Sequence, residues 1–245
     1  MNYKRYRLSS KEILRTITFY MVFDAIIAVL FYDSVVAGAI GILFLPIYYT
    51  FKEREMAKTR QKELRYQFVS MIGSISSALT SGLSVPNAFR EALSDMIKMY
   101  GDNADISKEL TEIIRRETVN IPVISGLRDF ADRSELEEIT DFTAVFSEAL
   151  KSGGDLNEII RDTVYMIEEK SRMEEEIEAV LKGKMLEQKV MSTIPFIIIG
   201  YLRITSSELI SRMYGNTAGI IIMTICLGVY MMAFVISKKI VDIRI

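Results

Sequence analysis

The chain has 245 residues, half of them hydrophobic and a quarter charged, with a net charge of −2. That average suits a globular protein as well as a membrane protein, and its charge gives no electrostatic footprint for nucleic acid. Histidine is absent and cysteine occurs once, as Cys226. This excludes an intrachain disulfide, multi-cysteine metal sites and the Ser/Cys–His pairings of nucleophilic catalysis.

The order of the residues says more than their average. Apolar residues gather in 13–51 and 190–237, whereas most of the charge lies in 52–189. A bilayer imposes that segregation and a soluble core does not. The expected fold class is an all-α membrane protein in which two transmembrane helical hairpins flank a cytoplasmic six-helix bundle with an internal repeat. The expected divisions are a basic N-terminus over 1–15, hairpins over 16–51 and 190–237, the helical domain over 52–189 and a short tail over 238–245.

In chain order, the first apolar run is Ile17–Tyr32, and after Asp33-Ser34 a second runs from Val35 to Phe51. Without a small-residue cleavage site, the first run reads as a retained membrane helix rather than a signal peptide. Asp24 lies within it, where an ionisable group is expensive; a hydrogen bond to a neighbouring helix or a shallow position is the plainer reading, a functional role the sharper one. The third run, Val190 to about Ile204, is short, holds Pro195 and ends at Arg203, which is expected to snorkel to the far interface. The fourth, Thr217–Ser237, is uncharged and closed by Lys238-Lys239. With four spans, the lysines and arginines before the first, after the second, before the third and after the fourth all fall on one side. Both termini and the charged domain are therefore expected in the cytoplasm of a multi-pass inner-membrane protein, in contact with the lipid bilayer.

The charged domain reads as helices over Glu53–Ser81, Val85–Met99, Ile106–Thr118, Val123–Asp132, Glu135–Lys151 and Leu156–Lys189, the last continuing into the third span. Phe68, Met71, Ile72, Ile75 and Leu79 repeat at three- and four-residue steps, and Gly82 stands where a left-handed cap is expected. Glu168/Arg172 and Glu178/Lys182 have the spacing of supporting ion pairs. The acidic run Glu168–Glu178 reads as a solvated helix face, with a docking surface for a basic partner as the alternative. Cys226, Met223, Met231 and Met232 read as lipid-facing or packing residues. No P-loop occurs, because Gly183-Lys184 lacks the upstream glycine and the preceding strand.

Residues 78–93 align without gaps on 149–164 at an offset of 71, since 149 − 78 = 71. Each copy ends a helix on Ser-Gly (Gly82; Gly153, followed by Gly154) and restarts one on a capping residue (Ser84; Asp155). An apolar residue follows (Val85, Leu156), then a basic–acidic pair: Arg90-Glu91 in one copy, Arg161-Asp162 in the other. Pro86 stands at the start of its helix, where a missing N–H costs nothing. Asp155 and Glu158 have capping-box spacing. Ordinary helix punctuation explains these turns as well as a duplicated hairpin does. The duplicated hairpin makes Arg90, Glu91, Arg161 and Asp162 the candidate partner interface.

The segments FVSMIGSISSALTSGLSVPNAFREAL (68–93), ISGLRDFADRS (124–134), FTAVFSEALKSGGDLNEII (142–160) and KGKMLEQKVMSTIPF (182–196) resemble the type II secretion system F-domain family. The flanking hairpins and short length are most similar to the tight-adherence (Tad) pilus platform proteins. The resemblance covers roughly residues 60–235. The chain departs from larger members in having one bundle and four spans where some have two bundles and three. The resemblance implies a non-enzymatic inner-membrane platform without cofactors, of type IV pilus or type II secretion machines. It implies that the cytoplasmic bundle docks on a hexameric secretion ATPase and passes its motions to pilins. Oligomerisation with like chains or a paralogous platform protein is implied too. The alternative is a small α-helical membrane transporter or channel subunit, which should concentrate polar residues and broken helices at membrane depth. A membrane-bound enzyme is a distant third.

Overall fold

In the computed structural model, the described residues are 3, 10–152, 156–206, 214 and 216–241. Among them all regular structure is helical. The elements are α1 (Ser10–Ile27), a π-helical turn (Ala28–Tyr32), α2 (Val35–Ile42), α3 (Leu45–Thr80), α4 (Val85–Tyr100), α5 (Asp105–Glu117), α6 (Val123–Ser134), α7 (Glu137–Ser152), α8 (Leu156–Thr205) and α9 (Thr217–Val241). The chain divides into two units, one of residues 1–7 with 53–173, the other of 8–52 with 174–245. The second boundary falls at Met173, inside α8.

The first unit is built around α3. Phe68, Met71, Ile72, Ile75 and Leu79 are all buried, as the spacing requires. An aromatic chain runs through its core: Tyr3 against Phe130, Phe130 against Phe68, Phe68 against Phe142, Phe142 stacked on Phe146 and Phe146 against Phe89. Ring centroids are 5.5–6.3 Å apart along it, the range in which aromatic pairs add about 0.5–1.5 kcal/mol each beyond buried area. The chain joins α3, α4, α6 and α7. Gly126 of α6 lies so close to α5 that a Cβ there would stand 2.9 Å from Ile113 Cγ1.

Three helical stretches among the described residues are long and apolar enough to cross a membrane: Ser10–Tyr32, Val35–Thr80, which joins α2 and α3, and Thr217–Ser237. The first begins earlier than Ile17, and its last five residues open into the π turn, closed by Asp33 at φ 44°. The expected third span is not among them; Val190–Thr205 is a shorter run, at the end of α8. Large apolar side chains of the second unit face outward, among them Phe19, Val22, Val35, Ile47, Ile197, Ile225 and Val229, as lipid requires and water does not.

The second apolar run is not one helix. α2 ends at Ile42, and two tight bonds, Leu43 N–H to Ile40 O (3.1 Å) and Phe44 N–H to Gly41 O (2.9 Å), turn the chain into α3. Pro46 lies in the first turn of α3, where its missing N–H costs nothing; farther inside a continuous helix its ring would crowd the Ile42 carbonyl. Residues 35–51 therefore form two helices rather than one.

Candidate functional site

The first expected turn is built as its residues require. Leu83 N–H bonds to Ala78 O (3.1 Å) and Gly82 N–H to Leu79 O (2.9 Å), with Gly82 at φ +87°. This is a Schellman ending, which needs a left-handed residue after the helix and so favours glycine. Ser84 takes the cap position before α4 but its hydroxyl caps nothing; its carbonyl receives the first helical bond, from Ala88 N–H. Pro86 stands in the first turn of α4. In the other copy, α7 ends at Ser152 and α8 begins at Leu156; Gly153, Gly154 and Asp155 lie outside the described residues. Burial repeats between the copies: Ala78 and Ala149 are buried, as are Phe89 and Ile160.

The candidate interface residues are exposed on two helices. On α4, Arg90 donates to Glu117 of α5 (2.6 Å) and to Asn87 (2.9 Å), and Glu91 is exposed beside it. On α8, Arg161 lies 3.7 Å from Asp162, beyond hydrogen-bond reach, and both side chains are about two-thirds exposed. Arg90 is anchored, whereas Arg161 offers its guanidinium to solvent or to a partner. Farther along α8, Arg172 pairs with Glu169 at 2.5 Å.

The first unit also holds a buried polar cluster to which no sequence signal points. Tyr3 is fully buried and its hydroxyl donates to Glu109 Oε1 at 2.6 Å. Glu109, 4% exposed, also receives both terminal nitrogens of Arg133, at 2.7 and 2.5 Å. Arg133 reaches Asp129 (3.1 Å), and Asp129 reaches Arg116 (3.3 Å). Arg60, held by Asp105, lies 5.0 Å from the Tyr3 ring centroid in a cation–π contact. Burial first, then the bond to Glu109, pushes the Tyr3 hydroxyl far above the ordinary tyrosine range. The bond to Glu109 likewise raises Arg133, against the opposing effect of burial. A paired, hydrogen-bonded cluster of this kind pins an N-terminal residue to the unit formed by 53–173. A single tyrosine among basic residues carries no periodic signal that could have revealed it.

The second unit holds two further clusters. The Asp24 carboxylate packs on α2 where glycines leave room: a Cβ on Gly41 would stand 1.7 Å from Asp24 Oδ1, and one on Gly38 3.7 Å from Oδ2. One turn earlier, the Tyr20 hydroxyl donates to Gly41 O at 2.6 Å. At the end of the π turn, Arg203 of α8 bonds to Asp33 and to Val29 O, and Tyr214 bonds to Leu30 O. Tyr32 meets Thr224 of α9 at 3.1 Å, and Tyr230 of α9 donates to Ser192 O of α8 at 2.8 Å.

These features define an all-helical protein with helices fit to cross a membrane. Compared with protein-family models, with curated proteins and with solved structures, the chain matches none.

Proposed function

We propose that the chain is a non-enzymatic inner-membrane platform of a type IV/Tad-like pilus or type II secretion machine, coupling a secretion ATPase to pilin assembly or export. The observation that carries the reading is a charged helical unit of 53–173 with its own buried core, together with helices apolar enough to cross a membrane, α3 and α8 each contributing residues to both units. A motor acting on the charged unit would then act on helices that enter the membrane. Coupling of this kind requires the ATPase to contact two states of the platform unequally.

Two transmembrane hairpins flanking a cytoplasmic six-helix bundle, with both termini inside, accommodate the contacts within each unit. Arg203 of α8 meets Asp33 just after the π turn, and Tyr230 of α9 meets Ser192 of α8. That pattern fits the run 190–205 as a fourth crossing whose arginine ends at the outer interface. Burial of Tyr3 in the unit of 53–173 favours an N-terminus on the same side as that unit. The partner surface is assigned to Arg90, Glu91, Arg161 and Asp162, with Arg161 the more available cation. Pilins, the ATPase and a like or paralogous platform chain are the partners.

Reversing charge at Arg90 and Arg161 together should weaken co-purification of the full chain with the secretion ATPase of the same cell, while the unfolding midpoint stays near wild type. Unchanged co-purification retires this surface. A second reading, a small membrane transporter or channel subunit, is favoured by the break between α2 and α3 beside Asp24. Uptake of a solute or ion by vesicles containing the chain alone would support it over the platform.

A further inference from the structure

Within the unit that ends at Met173, α8 has two apolar faces. Toward the core, Ile160, Thr163, Val164, Ile167 and Ser171 are buried. About a third of a turn round from them, at about 100° per residue, Ile159, Met166 and Met173 are exposed, Met166 at 62% and Met173 at 51%. They stand seven residues apart, a step that drifts only about 20° around a helix, so the three form one stripe. Asp162 and Glu169, also seven apart, border the stripe on the side turned away from the core. Each has a cation of its own helix beside it: Arg161 lies 3.7 Å from Asp162, and Arg172 pairs with Glu169. Exposed pairs of this kind are weak enough to exchange partners. On the other border, Lys170 is held by Glu137 of α7 at 2.9 Å.

Charge decides what can cover such a stripe. In a pair of helices, 159, 166 and 173 would hold one seam position and 162 and 169 the other. A second copy laid parallel would set acidic seam residues against acidic ones, and a copy laid antiparallel would set them against apolar ones. Either way carboxylates are buried without cations. An anionic membrane surface is repelled by the same border and by the run that follows it, where Glu168, Glu169, Glu174, Glu175 and Glu176 outweigh Lys170 and Arg172. We propose that the stripe of Ile159, Met166 and Met173 is the docking face for a helix of a partner protein, apolar on one side and bordered there by lysines or arginines. The partner's apolar residues cover the stripe and its cations meet Asp162 and Glu169. Methionines suit that face, because their unbranched, polarisable side chains repack around differing apolar shapes. Asp162 is shared with the surface assigned above, but the inference asks only that this stretch of α8 face water and rests on no part of the secretion reading.

The test uses the full chain in nanodiscs of zwitterionic lipid and a fluorescent synthetic helix about three heptads long, with leucines at its seam positions and lysines beside them. Fluorescence anisotropy should show binding that weakens at least about tenfold for Met166→Ser with Met173→Ser, and equally for a scrambled peptide that keeps the charge and loses the stripe. Asp162→Lys with Glu169→Lys should abolish binding of the lysine helix and create binding of the same helix carrying glutamates instead. Because that swap creates binding, a failure to fold cannot imitate it. No binding of the lysine helix by the wild-type chain, or equal binding of the scrambled or glutamate peptide, overturns the proposal. Two results with Met166→Cys in a Cys226→Ser chain overturn it as well. A disulfide between copies in native membranes gives the stripe to a second copy, and quenching of a fluorophore at that cysteine by brominated lipid gives it to the membrane.

Discussion

Replacing Arg133 by methionine keeps most of the buried stem and removes the guanidinium from Glu109. Two charge-assisted bonds disappear, at 2.7 and 2.5 Å, from a carboxylate that is only 4% exposed. Breaking a buried pair by deleting one partner costs about 3–5 kcal/mol. The Tyr3 hydroxyl still donates to Oε1, so the expected loss is near the lower end, about 3 kcal/mol. Against a total stability of about 5–15 kcal/mol that is a large share. The double variant Glu109→Leu with Arg133→Met removes both charges, though it leaves the Tyr3 hydroxyl without its acceptor; its loss should fall short of the sum of the two single losses by at least about 2 kcal/mol, because no carboxylate is then left buried without its cation. Urea-dependent pulse proteolysis of the full chain in detergent micelles measures both. Single losses that simply add in the double variant, within about 0.5 kcal/mol, would refute the coupling and with it the structural role given to the cluster.

Tyr3→Phe keeps the ring contacts with Phe130 and Arg60 but deletes the bond to Glu109; the same assay should show a loss of about 1–3 kcal/mol. Gly82→Ala forces a side chain into φ +87° and should cost about 1–2 kcal/mol, with urea dependence otherwise unchanged. Gly126→Ala sets a methyl 2.9 Å from Ile113 Cγ1 and should cost about 1–3 kcal/mol through overpacking. Arg115 first, then Arg116, holds the Glu112 carboxyl at about 2, against 4.5 ordinarily. A carboxyl depressed by folding stabilises above its ordinary value and loses that contribution as pH falls. The gap between wild type and Glu112→Gln, at most about 1 kcal/mol for so exposed a pair, should therefore be full at neutral pH and vanish between pH 4.5 and about 2.

Local chemistry made the helices of the charged unit readable. Gly82 and Pro86 punctuate α3 and α4, and the three- and four-residue spacing of Phe68, Met71, Ile72, Ile75 and Leu79 predicts the face that is buried. The break at Leu43-Phe44 was harder to see, because hydropathy averages over Pro46 while the peptide ladder does not. The cap at Ser84 shows a similar limit: residue type placed it at the helix start, but not its hydroxyl. Tyr3, Glu109 and Arg133 were out of reach for another reason. They are more than a hundred and then 24 positions apart, and each alone looks like a solvent-facing residue of its segment. Asp24 was legible as an anomaly, whereas the glycine seat that receives it depends on how α1 and α2 pack.

Sidedness tests the central claim most directly. In a Cys226→Ser chain, single cysteines at Lys151, Ser34 and Asn216 are exposed in turn to a membrane-impermeant maleimide in intact cells. Labelling of Ser34→Cys and Asn216→Cys with protection of Lys151→Cys until the membrane is permeabilised is the result expected of a charged unit held inside by four crossings. Labelling of Lys151→Cys in intact cells would contradict it.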